Sequence, residues 1–308
     1  MLQFRTGDLD MLRMNSRLVA LLALAMIPVG SATADLDAAA IGTAAGTDAS
    51  VKPDGVVRLA WVRTDVDVRV DGMPFTPQAG LGSWAAFKET PKGAMVMGDT
   101  VVFQDEVDAA MDAAFANGIA VTALHNHFFY DEPKVYFMHI GGEGDPETLA
   151  AGVKAMWDAI KVVRRANPEP QQRFAGEIPK AGDIDASALE EMAGHKSTKN
   201  NGVVKVSVPR TGSMNGVEIG GSMGLSSWAA FQGGNDLAAM DGDFIMTAKE
   251  VQPVLKAMRI QNFHVVALHN HMTGDDPAFY FCHFWATGSV PELAVGFRTV
   301  LGAQARVR

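Results

Sequence analysis

The chain has 308 residues, of which 48% are hydrophobic and 20% are charged, and its net charge at pH 7 is −9. This composition is typical of a globular protein, and the acidic balance without a basic run argues against nucleic-acid binding. The single cysteine, Cys282, excludes an intrachain disulfide bond and a cysteine-based zinc ribbon.

The N-terminal segment has the pattern of a secretory signal peptide. Arg13 and Arg17 precede the apolar run LVALLALAMIPVG, and an Ala-x-Ala cleavage pattern occupies residues 32–34. The apolar run is too short to span a bilayer comfortably. We therefore predict that residues 1–34 are a cleaved signal peptide and that the mature protein is periplasmic or secreted, with no stable membrane anchor after cleavage. A membrane anchor over residues 18–30 is the alternative.

The rest of the chain is an internal repeat. Adding 144 to a residue number superimposes residues 80–152 on residues 224–296 without a gap, and the pentapeptides SWAAF and ALHNH occur once in each copy. A repeat of this length predicts a two-lobed, pseudo-symmetric protein. The predicted lobes are residues 35–163 and 184–308, joined by a proline-containing polar linker at residues 164–183.

Each copy predicts strands and helices in the same order. In the first copy, the apolar runs VVRLAWVR and AMVMGDTVVF predict strands, and DEVDAAMDAAFANG has helical spacing and ends on Asn-Gly. IAVTALHNHFF and KVYFMHIG predict two more strands, and Asp145 with Pro146 begins a final helix. The predicted fold class is α+β, with two pseudo-symmetric lobes that are each an antiparallel sheet with helices packed on one face.

Six of the eight histidines occupy equivalent positions in the two copies. They are His125, His127, His139, His269, His271 and His283. If the two strands of the first copy pair about residue 132, His125 lies opposite His139. His127 then lies one two-residue step along the same face.

Three imidazoles arranged in this way can converge on one metal ion. Zinc is favoured, because it takes imidazole ligands in a tetrahedral site, and copper or nickel is the alternative. The site is predicted once in each lobe, or once as a composite site where the lobes meet. A structural hydrogen-bond network among the histidines is the competing interpretation.

Two glutamates are the candidate catalytic residues. Glu106 and Glu250 stand in the first turn of the first predicted helix of each copy. Thr247 gives Glu250 a capping box, whereas Phe103 occupies the equivalent position in the first copy. Capping is the ordinary role of such a glutamate, but its retention beside Phe103 makes both residues candidate bases or fourth metal ligands.

Other repeated polar pairs have structural interpretations. Arg63 and Arg210 each end a strand and are predicted to form surface or inter-lobe ion pairs, with an anionic ligand as the alternative. The remaining pairs are asparagines on the opposite strand face and turn aspartates: Asn126, Asn270, Asp131 and Asp275.

The motifs GSWAAF, MGD and TALHNH of the first copy, and VVALHNHM and FCHFWA of the second, are similar to those of the LppY/LpqO family of exported bacterial proteins. The resemblance runs from about residue 35 to residue 301 and implies export and a two-repeat architecture. It implies no biochemical activity. The lipid anchor of the family's lipoproteins does not carry over, since the chain lacks a lipobox cysteine.

The sequence supports two functions of different classes. The first is an exported metal-binding protein with a three-histidine site in each repeat, where a metal-activated water would permit hydrolysis. The second is a non-catalytic cell-envelope binding module in which the histidines are structural. In both, the partner is an unidentified small molecule or envelope component, and the sequence leaves open whether the protein is an enzyme.

Overall fold

Residues 35–307 are described by the structure, which is a computed structural model. The predicted signal peptide, residues 1–34, lies outside the described residues. Within the described part of the chain, no helix combines the length and the apolar character needed to cross a membrane.

Both repeats contain the same elements in the same order, except that a 3-10 turn at Gly221–Met223 stands in the second repeat in place of a short helix, α2. The elements of the first repeat are α1 (Ala38–Ala45), β1 (Ala49–Val51), β2 (Val57–Val62), β3 (Arg69–Val70), β4 (Met73–Pro74), α2 (Pro77–Gly80), β5 (Gly82–Thr90), β6 (Gly93–Phe103), α3 (Val107–Ala116), β7 (Ala120–His125), β8 (Asp131–Glu132), β9 (Val135–Gly144) and α4 (Pro146–Ala166). Those of the second repeat are α5 (Ala186–Ala193), β10 (Ser197–Asn200), β11 (Val203–Pro209), β12 (Gly212–Met214), β13 (Val217–Ile219), β14 (Ser226–Gly233), β15 (Ala238–Thr247), α6 (Ala248–Ile260), β16 (His264–His269), β17 (Asp275–Asp276), β18 (Phe279–Gly288) and α7 (Val290–Ala305).

Twelve strands form one antiparallel sheet in the order β1-β2-β5-β6-β9-β7-β16-β18-β15-β14-β11-β10. The strands of the first repeat, counted from one edge to the centre, follow the same order as the equivalent strands of the second repeat counted from the other edge. The sheet therefore has a pseudo-twofold axis between β7 and β16. These two central strands pair through Leu124 and Leu268. The predicted α+β fold with two pseudo-symmetric antiparallel lobes is confirmed, and the structure adds that the two sheets join edge to edge. Neither β7 nor β16 is left as an open edge.

One face of the sheet packs against the helices, as predicted. Leu124 and Met138 from the strands lie in one apolar cluster with Met111, Trp157 and Phe297 from α3, α4 and α7. Because side chains alternate along a strand, the residues between these strand positions point to the opposite face. That face carries two small three-stranded sheets, β4-β3-β8 and β13-β12-β17, with apolar clusters of their own. The repeated histidines lie on this face.

The final helix of the first repeat begins where the sequence predicts. Asp145 is the N-cap of α4, and its side chain accepts a hydrogen bond from the Thr148 backbone N–H at 2.8 Å. Pro146 occupies the first helical position. It can do so because the first N–H groups of a helix have no intrahelical partner to lose.

The pairing of the histidine strands differs from the prediction by two residues. In the structure His139 pairs with Ala123, and His125 pairs with Phe137. The prediction that His125 lies directly opposite His139 is therefore wrong. A shift of two residues, unlike a shift of one, keeps every side chain on its predicted face. The histidines consequently still share one side of the sheet.

The cause of this shift is the loop between β7 and β9, which is longer than a hairpin turn. Within it, β8 pairs with β3 rather than with a neighbouring strand of the large sheet. The Asp131 carboxylate accepts a hydrogen bond from the Val135 backbone N–H at 2.7 Å and so closes the loop. Asp275 accepts the equivalent bond from Phe279 at 2.7 Å. Both aspartates are turn residues, in agreement with their sequence interpretation.

Residues 167–185 connect α4 of the first repeat to α5 of the second. The start of this inter-repeat segment is fixed by a hydrogen bond from the Gln171 backbone N–H to the Asp105 carboxylate at 3.1 Å. Its end is fixed by a hydrogen bond from the Asp185 backbone N–H to the Asn235 side chain at 3.0 Å. The segment is therefore tied to the first repeat at its start and to the second repeat at its end.

Candidate metal centres

Three imidazoles converge in the first repeat. His125 is the last residue of β7, His127 lies in the following loop, and His139 lies in β9. One nitrogen from each ring lies within 4.8 Å of the other two. The ring centroid of His125 is 5.1 Å from that of His127 and 5.0 Å from that of His139. We call this group the first centre.

The second repeat contains the same arrangement, which we call the second centre. It consists of His269, His271 and His283, again with one nitrogen from each ring within 4.8 Å of the others. The centroid of His269 is 5.1 Å from that of His271 and 5.2 Å from that of His283. The histidines thus form one group in each repeat. The two centres lie on the same face of the large sheet.

An aromatic ring holds the loop histidine of each centre. His127 stacks on Phe137 with a centroid distance of 3.3 Å and an interplanar angle of 4°. His271 stacks on Phe281 at 3.4 Å and 8°. Both phenylalanines are buried and come from the central strands β9 and β18. The sheet therefore fixes the position of an imidazole that the loop alone would leave free to move.

Backbone contacts orient the strand histidines. Nδ1 of His125 lies 3.3 Å from the carbonyl oxygen of Asn126, and Nδ1 of His269 lies 3.2 Å from that of Asn270. When Nδ1–H donates to a carbonyl, the lone pair of Nε2 is free to bind a metal. The Asn126 side chain instead donates to the Phe128 carbonyl at 2.8 Å, which is a structural role in the loop.

A carboxylate that the sequence analysis did not single out lies beside each centre. Asp99 on β6 pairs in register with His139, and its Oδ1 is 4.0 Å from Nε2 of that ring. Asp243 on β15 pairs with His283, and its Oδ2 is 3.7 Å from Nε2 of His271. The signal for these residues was the Gly-Asp pair that both copies retain. Its meaning depends on the pairing of β6 with β9, which lies outside the local hairpin.

These two aspartates are buried without full hydrogen bonding. Asp99 is 8% exposed and Asp243 is 3% exposed. Oδ1 of each has no hydrogen-bond partner among the described residues. Burial raises the pKa of both carboxyls above its usual range, although the neighbouring histidines act in the opposite direction. A buried oxygen without a partner is costly, and a bound cation would satisfy it.

The electrostatics of the histidines suit metal binding. Burial lowers the pKa of His127 below its usual value, and the neighbouring His125 lowers it further. Burial is also the main reason why the pKa of His271 is lowered. A lowered pKa favours the neutral imidazole at pH 7, and the neutral form is the one that binds a metal.

Glu106 lies in a different environment from the histidines. It is fully buried, and Arg63 donates to both of its oxygens at 2.8 and 2.9 Å. Arg164 donates to it at 2.9 Å, and the Phe103 backbone N–H at 2.9 Å. Glu106 is not among the residues whose ligand atoms group with the first centre. We call this set of residues the Glu106 cluster.

Glu250 has a similar but more open environment. It forms the predicted capping box with Thr247 and an ion pair with Arg210. Gln304 donates to the same carboxylate oxygen at 3.2 Å. Burial acts to raise the pKa of Glu250, but the hydrogen bonds from Arg210, Thr247 and Gln304 and the charge of Arg210 together outweigh it and hold the pKa below its usual range. Arg210, like Arg63, is therefore paired within its own repeat.

Comparison with known proteins identifies a family but no activity. No curated protein matches the chain. A double-ringed trimeric shell protein of the RMM microcompartment has 14% identity and a TM-score of 0.20, with 82% of this chain and 95% of that chain covered. A trimeric bacterial microcompartment shell protein, PduB, has 8% identity and a TM-score of 0.19, with 83% and 89% covered. These two likenesses are too weak to support a shared fold. Residues 39–159 and residues 187–303 both match the same family model. The chain therefore belongs to the family described as Domain of Unknown Function (DUF1259).

Proposed function

We propose that the protein binds one divalent metal ion in each repeat, through its three histidines and the adjacent aspartate. The observation that carries this proposal is the unpartnered, buried oxygen of Asp99 beside three converging imidazoles, with Asp243 in the same position in the second repeat. A hydrogen-bonded structural network would leave few such oxygens. A cation beside each aspartate would balance its charge.

Zinc is the metal that fits the donor set best. Three imidazole nitrogens and one carboxylate oxygen make a four-coordinate site of the kind zinc prefers. Donors around zinc lie about 3.3 Å apart for bonds of about 2.0 Å, so side-chain rotations would bring the present groups into range. Copper and nickel also take imidazole ligands and are the alternatives.

The reaction that such a centre permits is hydrolysis. If the aspartate orients the imidazoles instead of binding the metal, a coordination position stays open for water. The metal would then supply an activated water at neutral pH. For Glu106 and Glu250 we propose structural roles, because arginines donate to both oxygens of Glu106 and to Oε2 of Glu250. Binding without catalysis is the alternative that the experiment below leaves open.

We further propose that the protein is exported and is a member of the LppY/LpqO family. The support is the signal-peptide pattern at residues 1–34 and the motifs around the two ALHNH sequences. N-terminal sequencing of the exported protein tests the first part. We expect the mature chain to begin at Asp35, and a mature chain that still carries residues 18–30 would contradict cleavage.

Metal analysis tests the central proposal. The mature protein, without a histidine tag, should contain about two zinc ions per chain by mass spectrometry. His125→Ala should remove one ion, and His125→Ala with His269→Ala should remove both. His195→Ala is the matched control, since His195 lies outside both centres, and it should keep both ions. Wild-type protein that is free of metal and ignores added zinc and copper would overturn the proposal.

A further inference from the structure

A cavity of about 720 Å³ lies beside the second centre. Its lining includes His283, one of the three histidines of that centre. The volume is within the range of about 300–1,000 Å³ that small-molecule sites occupy. A molecule in this cavity would therefore lie beside one ligand of the metal proposed for the second repeat.

The inter-repeat segment covers the cavity. Gln171 and Phe174 are in its lining, and so are residues 177–179. Phe174 stacks on His264 with a centroid distance of 3.6 Å and an interplanar angle of 9°. His264 is in turn paired with Asp108 at the start of α3. These contacts, together with the hydrogen bond of Gln171 to Asp105, fix the covering segment on the sheet.

The cavity walls suit a flat apolar body. The lining includes Trp285 of β18, Val266 of β16 and Tyr136 of β9, together with Phe174 and Ile178 of the inter-repeat segment. A flat molecule can stack on the indole of Trp285, and Phe174, whose ring stacks on His264, offers a second apolar contact. Ile178 is 69% exposed and so leaves apolar surface for an occupant to cover.

The charges on the walls are mixed and do not by themselves select a charge on the ligand. The lining contains four acids and one arginine: Asp105, Asp108, Glu177, Asp241 and Arg173. Asp105 is paired with Arg164 and Asp108 with Arg259, so among the described residues two unpaired acids and one arginine are left to act on a ligand. The one position with a strong preference is the end at His283, where a divalent metal would attract an anionic head group. The cavity and the second centre together therefore select a molecule with an anionic head and an apolar body.

The first repeat lacks the matching wall. Gly141 stands at the position equivalent to Trp285, and Met97 stands at the position equivalent to Asp241. In the sheet these two residues pair with each other, just as Asp241 pairs with Trp285. Met97 is 57% exposed, and the inter-repeat segment lines the cavity beside the second centre. The asymmetry predicts ligand binding at one centre only.

We propose that the cavity binds a small organic acid whose carboxylate coordinates the metal of the second centre and whose flat apolar body stacks on Trp285 and contacts Phe174. This inference rests on the proposed function, because the carboxylate needs the metal. Beside the first centre, Gly141 and Met97 stand in place of Trp285 and Asp241, so the matching wall is missing there. The two repeats would then have the same metal-ligating residues, but only the second would bind the organic acid.

Calorimetric titration with 2-naphthoate tests the proposal, after zinc has been measured in the same sample. Zinc-loaded wild-type protein should bind one 2-naphthoate per chain. Removal of zinc with a chelator should weaken binding at least about tenfold, as expected when the head group loses its main partner. The neutral analogue 2-naphthamide should show no dependence on zinc. One-to-one binding that depends on zinc supports the proposal.

Substitutions locate the site. Trp285→Gly gives the second repeat the residue of the first and should weaken 2-naphthoate binding about tenfold, with the zinc content unchanged. Phe174→Ala removes the second apolar contact, outside the sheet, and should have a similar effect, which guards against a folding defect in the first variant. Met97→Ala is the matched control on the first repeat and should change neither measurement.

The outcomes separate the two proposals. Zinc-loaded protein that does not bind 2-naphthoate, or that binds it equally with Trp285→Gly, overturns the cavity proposal and leaves the metal proposal intact. Binding of two molecules per chain also overturns it, because both centres would then accept the ligand. Protein that takes up no zinc overturns the metal proposal first, and 2-naphthoate binding without zinc overturns the role given to the carboxylate.

Discussion

Each repeat contains a buried glutamate beside the start of a helix and a buried aspartate beside its histidines, and the comparison between these two carboxylates separates structure from function. In the Glu106 cluster, the glutamate accepts hydrogen bonds from Arg63, Arg164 and a backbone N–H. Asp99, in contrast, has a buried oxygen with no hydrogen-bond partner among the described residues. The first carboxylate is fully neutralised by the chain, and the second is not.

The difference shows where a charge from outside the chain is needed. A buried carboxylate is stable when a cation and hydrogen bonds accompany it. For Glu106 the chain supplies two guanidinium groups. For Asp99 it supplies imidazoles, and the lowered pKa of His127 keeps that ring neutral at pH 7. We infer that the missing positive charge at Asp99 is a metal ion, and each prediction below tests one side of this comparison.

The largest effect is expected in the Glu106 cluster. Glu106→Gln removes a buried charge and leaves Arg63 and Arg164 without their shared partner, so the free energy of unfolding should fall by about 3 kcal/mol. Urea denaturation measures this loss. Glu250→Gln is the matched control: Arg210 has a side chain that is 28% exposed, so water compensates for much of the loss. The control should lose about 1 kcal/mol or less.

The zinc content separates this cluster from the centres. Both glutamine variants should keep the metal content of the wild type, since neither glutamate groups with the histidines. A folded Glu106→Gln protein that loses one zinc ion would show that the glutamate takes part in the first centre. That result would restore its role as a ligand or base.

The second largest effect is expected for Asp99. Its substitution should lower the metal affinity of the first centre but raise the stability of the metal-free protein. Asp99→Asn should weaken metal binding at the first centre by about 10–100-fold, the usual cost of losing a carboxylate that binds or orients ligands. In chelator-treated protein the same change should raise the free energy of unfolding by about 1 kcal/mol, because a neutral amide replaces a buried charge without a partner. Competition with a chromophoric zinc chelator measures the affinity, and urea denaturation measures the stability.

Asp243→Asn provides the equivalent measurement at the second centre, where the carboxylate is 3.7 Å from the nearest histidine nitrogen. It should behave in the same way as Asp99→Asn. If the asparagine variants destabilise the metal-free protein, the aspartates have hydrogen-bond partners that offset their burial, and the argument for an external cation fails.

The sequence predicted the histidines and the fold but could not reveal the aspartates. The repeat offset identified His125, His127 and His139, and strand alternation placed them on one face. Asp99 pairs with His139 across β6 and β9, which are separated in the chain by α3 and β7. Such non-local pairing is set by the packing of the whole sheet and leaves no local pattern to read.

The same limit explains two other differences from the prediction. The register of β7 with β9 moved by two residues because β8 pairs with β3, a strand about sixty residues earlier in the chain. The joining of the two lobes depends on the pairing of Leu124 with Leu268. An apolar strand has the same sequence pattern at the centre of a sheet as at a covered edge, so the sequence does not predict this pairing. Local composition determined the elements, but contacts between the repeats determined their arrangement.

The smallest effect is a pH dependence in the second repeat. Arg210 holds the pKa of Glu250 below its usual range, despite the opposing effect of burial. A carboxyl whose pKa is lower in the folded than in the unfolded state stabilises the protein above its unfolded pKa of about 4.3. As the pH falls through the folded pKa, that contribution disappears. The stability difference between wild type and Glu250→Gln should therefore be constant from about pH 8 to pH 5 and should shrink below about pH 4.

Urea denaturation of chelator-treated protein at a series of pH values measures this difference, since protonation of the metal ligands then cannot contribute through metal release. The Arg210→Gln variant supplies the control. Without the guanidinium, the pKa of Glu250 should return toward its usual value, so the pH dependence assigned to Glu250 should be lost together with the ion pair. A difference that grows as the pH falls would mean that the glutamate is destabilising when ionised. The second repeat would then contain two uncompensated carboxylates, and the contrast between Glu250 and Asp243 on which the metal assignment rests would disappear.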